Sequence, residues 1–294
     1  MSTRHADATP LVEPTDTDMS AFVSQFREPG EPPSPPGRDH GSPALRLLQP
    51  HPDDCALSIG GLLARVANPL RVITVYSEAA TPAESLNRTA EDRRFADAIG
   101  ATWHGLGHRE RTSLSAPRAS DEVEALITEL AGLPEAGGLL LAPAGVARHV
   151  DHIAVHDAAR RLSAAVFWED VAFWSIYAAS VEDRVLFSIR NADWLPHYVL
   201  VAVDILGSVR HKAALVACYR SQSVEFWRPL RYGWAAAGEL GRGGYCERLF
   251  VRCDRVDQVA GALGLEMEVV DGPPLQYGTV TVRTAWATTS GGAR

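Results

Sequence analysis

From residue 44 onward, short aliphatic and β-branched runs alternate with longer stretches of helical periodicity, and this alternation limits the fold more than any other feature. Leu45-Arg46-Leu47-Leu48-Gln49 reads as a short strand that runs into Pro50. Ala56–Ala67 then carries apolar residues at helical spacing until Asn68-Pro69 closes it. Leu70–Tyr76 is a second β-rich run. Thr89–Ile99 is charged on one face and apolar on the other, with Gly100 behind it as a C-cap signal. A strand at Ala101–Leu106, a helix near Glu122–Leu130, a strand at Gly138–Leu141 and a helix over His152–Ala165 continue the pattern. This order predicts an α/β domain whose mostly parallel sheet is covered by helices on both faces. Such sheets hold their sites at the carboxyl ends of the strands.

The flanks differ. Residues 1–43 contain eight of the nineteen prolines, and the stretch Glu28–Gly37 cannot form a helix or a central strand. This arm is expected to be disordered or extended. The catalytic unit is expected to span 44–253, with 254–294 as a C-terminal extension packed on or near it and a strand at Thr279–Thr284.

Composition narrows the function. A net charge of −8 disfavours a nucleic-acid or anionic-membrane partner. No apolar run approaches the ~18 residues that cross a bilayer, and no basic-then-apolar leader opens the chain, so the expected compartment is the cytoplasm. The four cysteines form no CxxC pair, which points to reduced thiols rather than disulfides or a zinc knuckle. Of 28 basic residues, Lys212 is the lone lysine, a bias that reads as a GC-rich coding sequence.

Two clusters carry chemistry, and both follow predicted strands. In His51-Pro52-Asp53-Asp54, His51 and Asp54 are three apart and can share one side of a first helical turn. An imidazole and a carboxylate begin a zinc site without completing it. In His149-Val150-Asp151-His152, His152 opens a helix and can supply the third ligand. Two histidines, one aspartate and an open position make the ligand set of a catalytic metal. Asp53 is then placed to take a proton from a metal-bound water. His149 is placed to stabilise a tetrahedral intermediate or to protonate a leaving nitrogen, and Asp151 to hold His149. The plain alternative for His51 and Asp54 is a helix cap, and for His149 and Asp151 a surface loop pair.

Other patterns carry less. His152 and His156 stand at i and i+4, but Ile153 occupies the position where a zincin needs glutamate, so His156 reads as structural. Trp168, Phe173, Trp174 and Tyr177 read as core. The glycine-rich run Ala235–Gly244 is no P-loop and reads as a flexible loop near the site. No G-x-G-x-x-G follows the first strand, which disfavours a dinucleotide-binding dehydrogenase.

The paired clusters resemble the PIG-L, or LmbE-like, N-deacetylases, whose signature is His-Pro-Asp-Asp-Glu after the first strand and His-x-Asp-His about a hundred residues later. Gly60-Gly61, Arg88…Glu91-Asp92…Gly100, Phe167-Trp168-Glu169-Asp170, Lys212…Tyr219…Ser221-Gln222 and Tyr245-Cys246-Glu247 resemble further landmarks of that family. The resemblance covers residues 44 to about 253. It implies a Rossmann-like three-layer α/β/α fold without a dinucleotide, and zinc, or iron in some members, held by His51, Asp54 and His152. It further implies Asp53 as general base, His149 as electrostatic or acid group, and Arg88 at the polar substrate. The implied reaction is removal of an N-acetyl group from an amino sugar or related small molecule. A metal-free binding relative and an amidase on another natural product are the rival readings. Two departures stand out: Cys55 replaces the family's glutamate, and Ala147 replaces a tyrosine found before the second motif in some members.

Overall fold

The computed structural model describes residues 44–112, 115–134, 138–145, 149–171, 187–222, 227–269, 275–277 and 280–289. The 1–43 arm, Ala147, Phe173, Trp174 and Tyr177 lie outside the described residues. The strands are β1 (Leu45–Gln49), β2 (Leu70–Thr74), β3 (Thr102–Gly105), β4 (Leu139–Pro143), β5 (Val166–Trp168), β6 (Tyr198–Asp204), β7 (Cys246–Arg252), β8 (Leu265–Val269), β9 (Leu275–Tyr277) and β10 (Val280–Thr289). The helices are α1 (Asp54–Leu63), α2 (Pro82–Ala98), α3 (Ser120–Gly132), α4 (Val150–Arg161), α5 (Val209–Val216), α6 (Trp227–Glu239) and α7 (Val256–Leu263).

The sheet order is β3-β2-β1-β4-β5-β7-β6-β10-β8, with β9 beside β10. β3, β2, β1, β4 and β5 are mutually parallel, whereas β7 runs antiparallel to both β5 and β6. β10 lies parallel to β6 and antiparallel to β8, so the residues after 253 enter the same sheet. The alternation of side chains along each strand builds two cores. Leu45, Leu47, Val72, Leu141, Trp168, Leu249 and Val251 bury on one face. Leu48, Ile73, Leu140, Phe167 and Phe250 bury on the other. A strand buried on both faces needs apolar residues throughout, which is why these runs show no polar alternation.

The element boundaries shift where start signals override periodicity. α2 begins at Pro82, well before Thr89, because the Thr81 hydroxyl accepts from Glu84 N at 3.2 Å and Pro82 presets the first turn. The expected loop at Ala235–Gly244 is a helix as far as Glu239. Three consecutive alanines extend α6, and the left-handed glycines 241 and 244 turn the chain only afterwards.

Three pairs among the family-like landmarks stitch the first half of the chain to the second. Asp92, fully buried, accepts from Thr74 Oγ1, Gln49 Nε2, Trp103 Nε1 and Tyr219 Oη at 2.5–3.0 Å. Glu91 accepts from the Ser221 amide and hydroxyl, each at 2.6 Å. Glu247 accepts from Lys212 Nζ at 2.6 Å and from the amides of Gly61 and Leu62 at 2.9 and 2.8 Å. Those amides follow Ile59, where α1 leaves helical geometry (φ −131°, ψ 19°), so Glu247 supplies acceptors at a kink. A β-carbon at Gly61 would come within 2.9–3.0 Å of Ile205, so glycine is what lets this part of α1 pack so closely.

Candidate metal centre

The chain order of the parallel strands determines where a site can form. From β1 the chain moves outward to β2 and β3, then returns to the other side of β1 as β4. The crevice beyond the carboxyl ends of β1 and β4 is therefore the topological switch point. The first His/Asp cluster follows β1 and the second opens α4, so two motifs a hundred residues apart meet there.

Local chemistry shapes each half. Pro50 and Pro52 hold the chain out of helix after β1. The His51 amide donates to Asp54 Oδ2 at 2.8 Å, closing the turn that starts α1. This turn forces Asp53 into the left-handed region at φ 92°, ψ −26°, an uncommon conformation for a residue with a side chain. On the other side, His149 is the N-cap of α4, its Nδ1 accepting from the Asp151 amide at 3.3 Å.

Three atoms converge. His51 Nδ1 lies 3.2 Å from His152 Nε2 and 3.6 Å from Asp54 Oδ2, and Asp54 Oδ2 lies 3.4 Å from His152 Nε2. Ligand atoms 2.0–2.2 Å from a tetrahedral zinc stand about 3.3–3.6 Å apart, so the triangle has the size of one face of such a site. His149 belongs to the same group: one nitrogen from each of His51, His149 and His152 falls within 4.8 Å of the others. Its Nδ1 also accepts from the Asp151 amide of its own helix, so Nε2 is the nitrogen left to face a ligand.

Carboxylates stand behind the other two rings. His51 Nε2 donates to Asp151 Oδ2 at 2.9 Å, which turns Nδ1 toward the cluster. His152 Nδ1 faces Asp170 Oδ1 at 3.4 Å, which leaves Nε2 toward the cluster. The expectation that Asp151 holds His149 is thus corrected. The carboxylate points back toward β1, and only the backbone amide of Asp151 meets His149. Asp170 was not singled out from sequence, although its aromatic-Glu-Asp segment was visible.

The electrostatics ask for a cation. Burial lowers the affinity of His51 for a proton, yet Asp151 and Asp54 overcome it and push its pKa up to about 10. Burial likewise raises Asp54, but His152 and His51 hold it below the usual carboxylate range. Asp53 is pushed up by burial and by the Asp54 charge. His149 is pushed down to about 3 by burial, then by His152 and His51, so it stays neutral. Cys55 is a buried thiol raised by burial and by Asp54, and it packs into the core with Leu45 and Leu47.

Arg88 is engaged on both ends of its fork, donating to Glu110 at 2.5 Å and to Glu84 at 2.7 Å. His156 donates to the Pro143 carbonyl at 3.0 Å and packs on Phe167, away from the cluster.

The fold and the sequence have counterparts in known proteins. The PIG-L family, described as GlcNAc-PI de-N-acetylase, matches residues 47–163. A 2'-N-acetylparomamine deacetylase from Streptomyces fradiae is 32% identical over 207 residues, covering 60% of this chain and 72% of that protein. Among solved structures, a zinc-inhibited form of teicoplanin deacetylase matches with TM-score 0.53 and 21% identity, covering 72% of this chain and 99% of the other. A deacetylase–teicoplanin complex matches with TM-score 0.54 and 21% identity over the same shares. At that identity the structural likeness speaks for the fold.

Proposed function

This chain belongs to the PIG-L family of metal-dependent N-deacetylases, and from that premise we propose that it removes an N-acetyl group from an amino sugar-like small molecule with zinc as its metal. The observation that carries the metal reading is the triangle of His51 Nδ1, His152 Nε2 and Asp54 Oδ2, with edges of 3.2–3.6 Å. A buried group of that size and donor type fits a zinc with an open fourth position. Iron suits the same donors less selectively.

Zinc held there supplies a Lewis acid that polarises the acyl carbonyl and brings the pKa of bound water from ~16 towards ~7. The chain's own groups do the rest. Asp53 takes the proton from the attacking water. Its elevated proton affinity, set by burial and by Asp54, matches a general base that must later release that proton to the amine. His149 donates its Nε2–H to the developing oxyanion, a role open to it because its pKa of about 3 keeps the ring neutral. Arg88, whose charge acts on Asp53 and whose fork also donates to Glu84 and Glu110, serves the polar substrate.

The 32% identity to a deacetylase of an acetylated amino sugar supports that substrate class. Among the described residues no helix is long and apolar enough to cross a membrane. Acetate release from N-acetylated amino sugars tests the reading. Zinc-loaded protein is expected to release acetate, and Asp53→Ala to release it ~10²–10⁴-fold more slowly while keeping its zinc. Equal rates in the two proteins would sink the base assignment.

A further inference from the structure

The metal centre draws support from a segment that carries no motif. Asp151 is fully buried, and its carboxylate is met from three places. Oδ2 accepts from His51 Nε2 at 2.9 Å and from the Arg111 amide at 2.8 Å. Oδ1 accepts from Arg118 Nε at 2.8 Å, with Arg118 Nη2 at 2.7 Å. The same Nη2 donates to the Arg109 carbonyl at 2.7 Å, and the guanidinium lies 4.1 Å over the Tyr76 ring. Tyr76 in turn packs 5.9 Å from the His51 ring. The fork is thus spent on the protein's own groups, beside the ligand it serves.

We propose that Arg118 is a positioning residue: by fixing Asp151 it holds His51 with Nδ1 aimed at Asp54 and His152, so that residues 109–112 and the metal centre order together. This inference rests on the metal-centre reading above. A buried carboxylate that loses its guanidinium partner is free to turn away from the ring it holds. That movement releases the His51 Nε2–H, and the ring is then free to rotate. Outer partners of this kind change metal affinity by roughly 10–100-fold when removed. Asp170 faces His152 from inside the domain, whereas His51 depends on Arg118, which lies outside both motifs. Loading the metal is therefore coupled to the order of residues 109–112 and Arg118.

The test compares the full-length protein with Arg118→Met and Arg118→Lys. Zinc affinity is read by competition with a chromophoric chelator, site geometry by the visible band of bound Co²⁺, and order by hydrogen exchange at Arg111. Arg118→Met is expected to bind zinc roughly 10–100-fold more weakly with a shifted cobalt band, and Arg118→Lys to recover part of the loss. In the wild type, zinc is expected to slow exchange at the Arg111 amide. Affinity within twofold of wild type together with an unchanged cobalt band in Arg118→Met would overturn the proposal. Should that variant fail to fold, Arg118→Gln, which keeps a donor and drops the charge, decides on the same criterion. A wild type that binds no zinc would instead overturn the metal-centre reading itself.

Discussion

His152 Nδ1 and Asp170 Oδ1 stand 3.4 Å apart, both wholly buried, one at the start of α4 and the other just past β5. With Nδ1 on the Asp170 side, His152 Nε2 faces His51 and Asp54. A carboxylate in this position both orients an imidazole and raises its basicity toward a metal. Asp170→Asn keeps the shape and removes the charge. We expect it to weaken zinc binding by roughly 10–100-fold, measured by chelator competition, with turnover restored at saturating zinc. Undiminished affinity would mean that packing alone sets the ring.

Asp53 combines strain with a half-buried position. Its φ of 92° suits glycine, and its carboxylate is held near Asp54 with a raised pKa. Both features cost stability and both serve the proposed base. Asp53→Gly is therefore expected to raise stability by about 1 kcal/mol while lowering turnover ~10²–10⁴-fold and leaving the metal in place. Thermal unfolding and acetate release on one preparation read both halves. A variant that is less stable than wild type would show that the turn is not strained.

Lys212 and Glu247 form a buried pair, 2% and 1% exposed at the side chain, that also satisfies two amides at the kink in α1. Removing one partner leaves the other as an uncompensated buried charge. Lys212→Met is expected to cost about 3–5 kcal/mol in urea unfolding. The double variant Lys212→Met/Glu247→Gln should cost less than the sum of the single changes, because the stranded charge is gone. Simple additivity would show that the two residues are not coupled.

Much of the first half was legible in the sequence. β1, β2, β4 and their helices follow from aliphatic runs punctuated by Pro50, Asn68-Pro69 and Gly100. The two motifs marked their own place because each sits where a strand ends. What stayed hidden depends on three-dimensional pairing. Which carboxylate serves which histidine cannot be read from adjacency: Asp151 neighbours His149 by two residues, yet its carboxylate meets His51, a hundred positions away. Arg118 carried no sequence signal, lying between Pro117 and Ala119 in a stretch without periodicity. The lone lysine looked like codon bias, and its buried partner Glu247 becomes visible only once α1, α5 and β7 pack together. The start of α2 was missed for a different reason. Its exposed first turns lack an apolar stripe, although the Thr81-Pro82 cap was there to be used.

The central claim is that His51, Asp54 and His152 form a metal centre. Elemental analysis of the purified protein beside Asp54→Ala tests it most directly. About one zinc per chain in the wild type and a large loss in Asp54→Ala is the predicted result, since Asp54 supplies one of three closely spaced donors. Equal metal content in the two proteins, or none in the wild type after reconstitution with zinc, would contradict it.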